Sequence, residues 1–355
     1  NGELVKSGKA SIVAGEYLDI PSFAGTGELF LNVFARLKQG TCWAEKGFTV
    51  SKEQFQVNVS KPELIASEGG NVEVNASLSA IEVMAGSDCF VIDAKSGALA
   101  SWKNGGTELL YAPLEPYFWK PANDNQMNNG YNNRLGAWRN AAAERVVEHI
   151  DYSVKNGLAV VEADMSLPAV GAAYRLRYTI NGSGKIQVEA FYQPEKEKIP
   201  LMPKFGMRMR LPSSMNYIKW YGRGEFENYP DRKTAAFVGC YAADVDNFIT
   251  DYAFPQDNAN RCDVRWFSLN DKESRKIKVA GLQPLCFRVW PYSEEDLEKN
   301  RHAYELPERD YLNVNIDLNI HGVGGTDSWG ARTLDEYTID GNQAYYYGYI
   351  MEYSD

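Results

Sequence analysis

Apolar and polar residues alternate along several stretches of the chain, and this alternation is its strongest structural signal. Successive side chains of a β-strand point to opposite faces, so a period of two marks a strand with one buried face. Glycine and polar residues at 95–99 and 181–184 are typical of hairpin turns. The clearest predicted strands lie at residues 29–37, 158–165, 174–180 and 185–192.

Helical periodicity is nearly absent from the chain. Residues 293–300 form the one clear exception, because Ser293 can cap a helix whose first turn is acidic. Many antiparallel strands with hardly any helix favour a sandwich, in which two sheets bury their apolar faces against each other. The pattern therefore predicts an all-β protein.

Glycines and small polar residues interrupt the pattern between about residues 60 and 83. We expect a small β-sandwich at residues 1–62, a linker at 63–82 and one large β domain at 83–355. The first residues, Asn1-Gly2-Glu3, are typical of a hairpin turn followed by its second strand. We therefore expect the first sandwich to be incomplete at its N-terminal end.

The charge balance excludes some partners. The 355 residues include 47 Asp and Glu against 37 Lys and Arg, a formal net charge of −10, and no basic cluster suited to nucleic acid or anionic membranes. No apolar run approaches the roughly 20 residues that span a bilayer, and the start lacks a signal-peptide pattern. We expect a soluble protein without nucleic-acid or membrane partners.

Cysteine and histidine give no sign of a metal centre. The cysteines are odd in number and lack CxxC spacing, which favours free thiols, and the histidines lie too far apart to predict a zinc site. The residues are Cys42, Cys89, Cys240, Cys262 and Cys286, with His149, His302 and His321.

Residues 219–233 mix arginines, carboxylates and aromatics around two glycines. Glu225 and Glu227 could form the carboxylate pair that a glycosidase needs on either side of the scissile bond. An arginine and carboxylate network that stiffens a strand-to-loop corner is the alternative, and Arg223 would belong to it.

Two further stretches combine amides, carboxylates and aromatics. Residues 116–130 include Trp119, Asn123 and Asp124; their spacing does not fit an EF-hand calcium loop, so Asx turns that hold a long loop are favoured. Residues 254–266 include Asn258 and Arg261. Planar polar groups beside aromatic rings suit a sugar-binding surface, although loop-rich β proteins contain them too.

The last candidate is the stretch 320–330, where three glycines within four positions precede a single tryptophan, Trp329. Glycines allow sharp turns and close backbone approach, so this stretch predicts a shaped loop with one large side chain at its tip. Asp327 and Ser328 are expected to shape the loop by binding nearby backbone amides. His321 lies at its start. The chain contains none of the GxSxG, HExxH, P-loop or GxGxxG motifs.

Taken in order, these stretches resemble the C-terminal part of β-galactosidases of glycoside hydrolase family 2. The strings are Phe-Trp at 118–119 with Asp-Asn at 124–125, Trp-Tyr-Gly-Arg-Gly at 220–224 with Glu-Asn-Tyr-Pro-Asp-Arg at 227–232, Asp-Val-Arg-Trp at 263–266, and Gly-Val-Gly-Gly at 322–325 with Asp-Ser-Trp at 327–329. Residues 3–60 resemble the immunoglobulin-like sandwich that precedes this part.

The resemblance implies a partial immunoglobulin-like sandwich followed by a large galactose-mutarotase-like antiparallel β-supersandwich, the small-chain domain. The family's catalytic barrel, with its acid/base and nucleophile glutamates, lies upstream and has no counterpart here. Trp329 matches the tryptophan that reaches the mouth of that barrel, which implies a sugar-binding role with Asp327, Ser328 and His321. This part would complete the pocket of a retaining β-galactosidase and be inactive alone.

The resemblance also sets expectations for partners and cofactors. The partners would be a β-galactoside and the N-terminal and barrel domains, in the same chain or as a large subunit. Magnesium and sodium, which whole enzymes often use, would bind mainly in the barrel, and no cofactor is expected here. The compartment would be the cytoplasm or periplasm of a bacterial-type cell.

Two alternatives belong to other functional classes. A free-standing carbohydrate-binding module would line a groove with side chains from the three loop stretches and the tip tryptophan. A mutarotase-like epimerase would need an acid and a base, for which His321 and Asp327 are the only plausible pair. The possible groove residues are Trp119, Asn123, Asp124, Arg223, Glu227, Asn258 and Arg261.

Overall fold

The computed structural model describes residues 2–10, 15, 17, 27–327 and 329–355. The chain divides into two compact units, Asn1–Pro62 and Glu63–Asp355. In the first unit, the described residues contain one antiparallel strand pair, β1 (Leu29–Arg36) and β2 (Thr49–Asn58). The hairpin between them carries Trp43 and Phe48, whose rings meet edge to face at 5.4 Å.

The regular structure of the second unit is mostly β-strand, and every pairing between its named strands is antiparallel. The described strands are β3 (Val72–Ala76), β4 (Ala80–Ala85), β5 (Asp88–Asp93), β6 (Leu99–Asn104), β7 (Thr107–Glu108), β8 (Ala112–Pro116), β9 (Val146–Lys155), β10 (Leu158–Leu167), β11 (Ala172–Asn181), β12 (Ile186–Pro194), β13 (Lys204–Pro212), β14 (Tyr217–Gly224), β15 (Phe237–Asp244), β16 (Arg261–Asn270), β17 (Lys276–Trp290), β18 (Tyr311–Ile320) and β19 (Tyr345–Ser354).

The described helices are short. They are α1 (Asp124–Met127), α2 (Tyr131–Arg134), α3 (Val245–Phe248) and α4 (Glu294–Lys299), with 3₁₀ turns at Gly136–Trp138, Ala303–Glu305 and Asp335–Tyr337. Ser293 caps α4, and its hydroxyl accepts a hydrogen bond from the Asp296 amide at 3.1 Å while the Asp296 carboxylate binds the Ser293 amide at 2.9 Å. This reciprocal capping box confirms the predicted helix.

The long strand β17 joins two groups of strands. Residues 276–281 of β17 pair with β19, which continues to β12, β11, β10 and β9. Residues 286–290 pair with β18, which continues to β13, β8, β6, β5, β4 and β3. On its other side β17 pairs with β16, followed by β14 and β15. The prediction of an all-β chain with a large antiparallel sandwich is confirmed.

One large apolar core joins the two groups. Strand β10 alternates strictly between half-buried and buried residues, so one of its faces packs inward. The core contains large side chains from both groups, among them Trp102, Tyr178 and Phe205. The Tyr178 hydroxyl donates to the Gly97 carbonyl at 2.9 Å, which links β11 to the turn between β5 and β6.

The expected linker at residues 63–82 is wrong as a description of this segment. It contains β3 and the start of β4, and the Ile65 amide donates to the Gln187 side chain at 3.1 Å. Strand β3 is only five residues long and follows two glycines, so its two alternating valines were too short a pattern to detect. The segment belongs to the second unit, which begins at residue 63.

Candidate functional site

A glycine-rich loop, here residues 321–331, follows β18. Its start is tied to the sandwich: the Gly322 amide donates to the Tyr337 carbonyl at 2.9 Å, and the Thr333 hydroxyl donates to the Gly322 carbonyl at 3.1 Å. Gly324 and Gly325 have φ angles of +70° and +97°, a region that residues with a side chain rarely adopt. The glycines are therefore required by the shape of this loop.

Trp329 stands at the tip of the glycine-rich loop, and 92% of its surface is exposed. One Asp327 carboxylate oxygen accepts hydrogen bonds from the Ala331 and Trp329 amides at 3.0 and 2.9 Å, and these bonds lower the pKa of Asp327. The Asp327 side chain thus shapes the loop, as its position in the sequence indicated. Ser328 lies outside the described residues.

Helix α1 holds the glycine-rich loop from one side. The Gln126 side-chain amide donates to the Gly322 carbonyl at 2.9 Å, and the Asn125 side chain donates to the Val323 carbonyl at 3.2 Å. Asn123 caps α1 by accepting the Gln126 amide at 3.0 Å and also donates to the Val323 carbonyl at 3.3 Å. The expected local role of an amide side chain is present at Asn123, whereas the contacts of this stretch with the glycine-rich loop were not predicted.

The other two polar stretches meet the same region. Asp231, which follows β14, accepts hydrogen bonds from the Val323 and Gly324 amides. The Gln256 side chain both accepts from the Asp124 amide at 3.0 Å and donates to the Asp124 carboxylate at 3.1 Å. Two of the three other stretches thus contact the glycine-rich loop directly, and the third, residues 254–266, contacts helix α1, which holds the loop.

Beneath this loop lies a network of fully buried charges. The Arg288 guanidinium pairs with both Asp257 and Asp317, and the Lys204 ammonium lies 2.7 Å from Asp317. The Lys120 ammonium lies 3.7 Å from Asp257. Burial lowers the pKa of each lysine to about 8 and raises the pKa of Asp317. This network was not predicted, because its charges come from strands and loops that are distant in the sequence.

Gln126 connects the buried charges to the loop. Its side-chain oxygen accepts from the Lys120 ammonium at 2.8 Å while its nitrogen donates to Gly322. One signal in the sequence could have located the network: Asn313, Asn315 and Asp317 repeat at a period of two along β18, which places polar side chains on one buried face.

His321 does not form the expected pair with Asp327. His321 is buried with 3% of its surface exposed, and its ring meets Tyr131 edge to face at 5.9 Å. Burial, reinforced by the positive charges of Lys120 and Arg134, lowers its pKa to about 3. Because Asp327 is exposed and binds backbone amides, the acid and base that the epimerase alternative requires are not brought together.

Glu225 and Glu227 are not a matched catalytic pair. Glu225 is exposed, whereas Glu227 is buried and accepts from the Ala259 amide at 2.8 Å, from Arg232 at 2.6 Å and from the Tyr252 hydroxyl. Glu227 therefore belongs to the stiffening network that was the alternative interpretation.

The expected groove residues do not line one open groove. Asn258 and Arg261 are buried, Asn258 against Tyr292 and the Gln256 carbonyl and Arg261 against backbone carbonyls and the Phe248 ring. Burial lowers the pKa of Arg261 to about 10. Arg223 instead binds Asp263 at 2.5 Å. The physical reason is that each of these polar groups is already bonded inside the protein.

Trp119 is also buried. Its indole nitrogen donates to Glu298 at 2.9 Å, and the Arg139 guanidinium covers its ring at 4.1 Å. It lines a cavity of about 270 Å³ together with Tyr117 and Arg208. Since Arg139 occupies the face of the ring, Trp119 offers no open platform for a sugar.

The described residues contain neither a metal-binding cluster nor a helix that could span a membrane. No cluster of three or more His, Cys, Asp or Glu side chains there is arranged to hold a metal ion. In the same part of the chain, no helix has the length and apolar character needed to cross a bilayer. All five cysteines are free thiols, of which Cys262 and Cys286 are buried.

Similar proteins were found by sequence and by structure. A β-galactosidase of Priestia megaterium is 30% identical over 322 residues, and one of Lactobacillus delbrueckii subsp. bulgaricus is 32% identical over 320 residues. Each alignment covers 90% of this chain but 31% of the relative, so the chain spans about a third of the length of these relatives. A galactose 1-epimerase from Lactobacillus acidophilus NCFM is similar in structure, with a TM-score of 0.47 and 8% identity, over 80% of this chain and 98% of that one.

Family models account for nearly the whole chain. The model of β-galactosidase domain 4 matches residues 1–58. The model of the β-galactosidase small chain matches residues 85–351, which include the sandwich and the glycine-rich loop. This chain therefore belongs to the β-galactosidase small chain family.

Proposed function

We propose that this chain is the part of a β-galactosidase that completes the sugar pocket of a separate catalytic part. The whole enzyme would hydrolyse terminal non-reducing β-D-galactosides with retention. The observation that carries the proposal is Trp329, a large ring that is 92% exposed on a loop held by α1 and Asp231. An exposed aromatic ring on a fixed backbone can pack on the C–H face of a sugar at low entropic cost.

The chemistry of the described residues supports a role in sugar binding and leaves bond cleavage to the catalytic part. A retaining glycosidase needs two carboxylates about 5–5.5 Å apart that face the same bond. The Glu227 carboxylate already accepts hydrogen bonds from Arg232 and Tyr252, and Glu225 is exposed to solvent. Bond cleavage would therefore come from the catalytic part, and magnesium and sodium ions would bind there as well.

Exposed apolar side chains in the segments around the glycine-rich loop support a docked partner. Met127 ends helix α1, Leu334 lies just beyond the loop in sequence, and Phe226 and Phe254 belong to two of the polar stretches; all four are exposed. A docked partner would remove such apolar surface from water. The catalytic part would cover them, as a domain of the same polypeptide or as a separate large subunit.

Hydrolysis of a chromogenic β-galactoside tests the proposal. The chain alone is expected to be inactive, and adding the catalytic part as a separate polypeptide should give activity. Trp329→Ala should then lower activity without changing thermal stability, because exposed side chains contribute little to folding. Trp43→Ala, which removes an exposed tryptophan from the first unit, is the matched control and should have no effect.

Two results would refute this function. Hydrolysis by the chain alone would mean that it carries its own catalytic carboxylates. Full activity of the Trp329→Ala complex, on both aryl galactosides and lactose, would mean that the exposed ring does not contact the sugar.

A further inference from the structure

Asp231 contacts the glycine-rich loop with both of its carboxylate oxygens. One oxygen accepts from the Val323 amide at 3.0 Å, and the other accepts from the Gly324 amide at 2.7 Å. Bonds from one carboxylate to two successive amides fix the orientation of two peptide units together. A carboxylate is well suited to this task, since it presents only acceptors whereas an amide side chain presents one acceptor and one donor group.

Gly322 shows how closely the loop passes this carboxylate. A Cβ atom placed on Gly322 would lie 2.7 Å from Asp231 Cγ and 2.7 Å from Oδ2. Real Cβ atoms do not approach other atoms so closely, so any side chain at residue 322 would displace the carboxylate or the backbone. The glycine at this position is therefore explained by Asp231.

The path of the loop beyond these contacts depends on them. Gly324 and Gly325 follow immediately with positive φ angles, and glycine permits many other backbone conformations. The amides bonded to Asp231 lie just before this turn, and Trp329 lies just after it. Fixing the peptide units at the start of this turn removes part of its conformational freedom, and so limits the positions that the chain beyond it can take.

We propose that Asp231 is a positioning residue: its hydrogen bonds with the Val323 and Gly324 amides determine the position of the Trp329 ring. The effect of Asp231 on the loop does not depend on the function of the protein, whereas its effect on hydrolysis rests on the proposed function. Asp231 would not touch the sugar. It would act through the backbone of the glycine-rich loop.

The first test follows Trp329 directly in the whole 355-residue chain. Fluorotryptophan labelling should give eight ¹⁹F signals, one for each tryptophan, and the signal missing from Trp329→Phe identifies that residue. Asp231→Asn should shift or broaden the Trp329 signal, because the new NH₂ group faces a backbone donor. Asp271→Asn is the matched control, since Asp271 also accepts from two backbone amides, at 2.9 and 3.0 Å, in the β16–β17 hairpin.

The second test measures hydrolysis by the complex with the catalytic part. We expect Asp231→Asn to lower kcat/KM about tenfold, the usual scale for losing one hydrogen bond to a charged group. In the Trp329→Ala background the same change should cost less than about twofold, because the ring that Asp231 positions is already gone. Asp271→Asn should leave kcat/KM unchanged in both backgrounds.

Gly322→Ala provides an independent variant in which residue 231 remains an aspartate. Its methyl group should displace Asp231 and produce the same ¹⁹F change as Asp231→Asn. An unchanged Trp329 signal in both folded variants would overturn the positioning role. A changed signal with normal hydrolysis in these variants and in Trp329→Ala would support the positioning role and refute the proposed function.

Discussion

At the scale of single residues, His321 shows why sequence proximity is weak evidence for chemistry. It begins the loop that carries Asp327, yet its ring packs on Tyr131 in the interior while Asp327 stays in solvent. The Nδ1 atom has no hydrogen-bond partner among the described residues. A buried imidazole without a carboxylate partner is held neutral, since charging it would require desolvation without compensation.

The low pKa of His321 predicts a specific dependence of stability on pH. The unfolded chain protonates this residue near pH 6.5 and the folded protein only near pH 3, so stability falls as the pH drops below 6.5. At pH 5 the loss from this residue should be about 2 kcal/mol. Urea unfolding at pH 7 and pH 5 measures this loss. The free energy of unfolding should change less between the two pH values for His321→Gln than for the unchanged chain. Equal changes would contradict a low pKa of His321 in the folded protein.

At the scale of elements, the buried charges connect strands that the apolar pattern alone would not align. Arg288 on β17 joins Asp317 on β18 to Asp257 in a loop, and Lys204 on β13 reaches the same Asp317. Buried charges tolerate the low dielectric only while they remain paired. The network thus fixes how β13, β17 and β18 lie beneath the glycine-rich loop.

Removing the shared cation of this network should be severely destabilising. Arg288→Met leaves Asp257 and Asp317 buried without it, and we expect a loss of about 3–5 kcal/mol in the free energy of unfolding. The exposed pair between Arg175 and Asp164 offers a control of the same chemistry, and Arg175→Met should cost less than about 1 kcal/mol. Urea unfolding of both variants checks this difference. Similar losses would mean that the buried network contributes no more than a surface pair.

The sequence predicted elements better than contacts, and the reason is physical. Period-two patterns marked strands such as β10 and β11, because one face of each is buried. The exposed tip of the glycine-rich loop was also predictable from its glycines. Partners such as Asp231 and Val323 are separated by 92 positions, and no local pattern indicates which carboxylate meets which amide.

At the scale of the whole molecule, the boundary between the two units decides which part of the chain folds alone. The unit Glu63–Asp355 contains β3 to β19 and their common core. Its first residues are part of the fold: the Asn181 side chain donates to the Ala66 carbonyl at 2.9 Å, and every residue of β3 pairs with β4. The stretch that was expected to be a linker is therefore structural.

Two truncated chains test whether residues 63–82 are a linker or part of the folded unit. Residues 63–355 should fold alone and unfold near the temperature at which this unit unfolds in the full chain, since every strand pairing of the unit is retained. Residues 83–355 should be much less stable or aggregate, because the loss of β3 and of the first residues of β4 exposes a new sheet edge and the apolar side chains beneath it. Calorimetry of both fragments makes the comparison. Equal stability of the two would restore residues 63–82 to the role of a linker, whereas failure of residues 63–355 to fold would show that the second unit depends on the first.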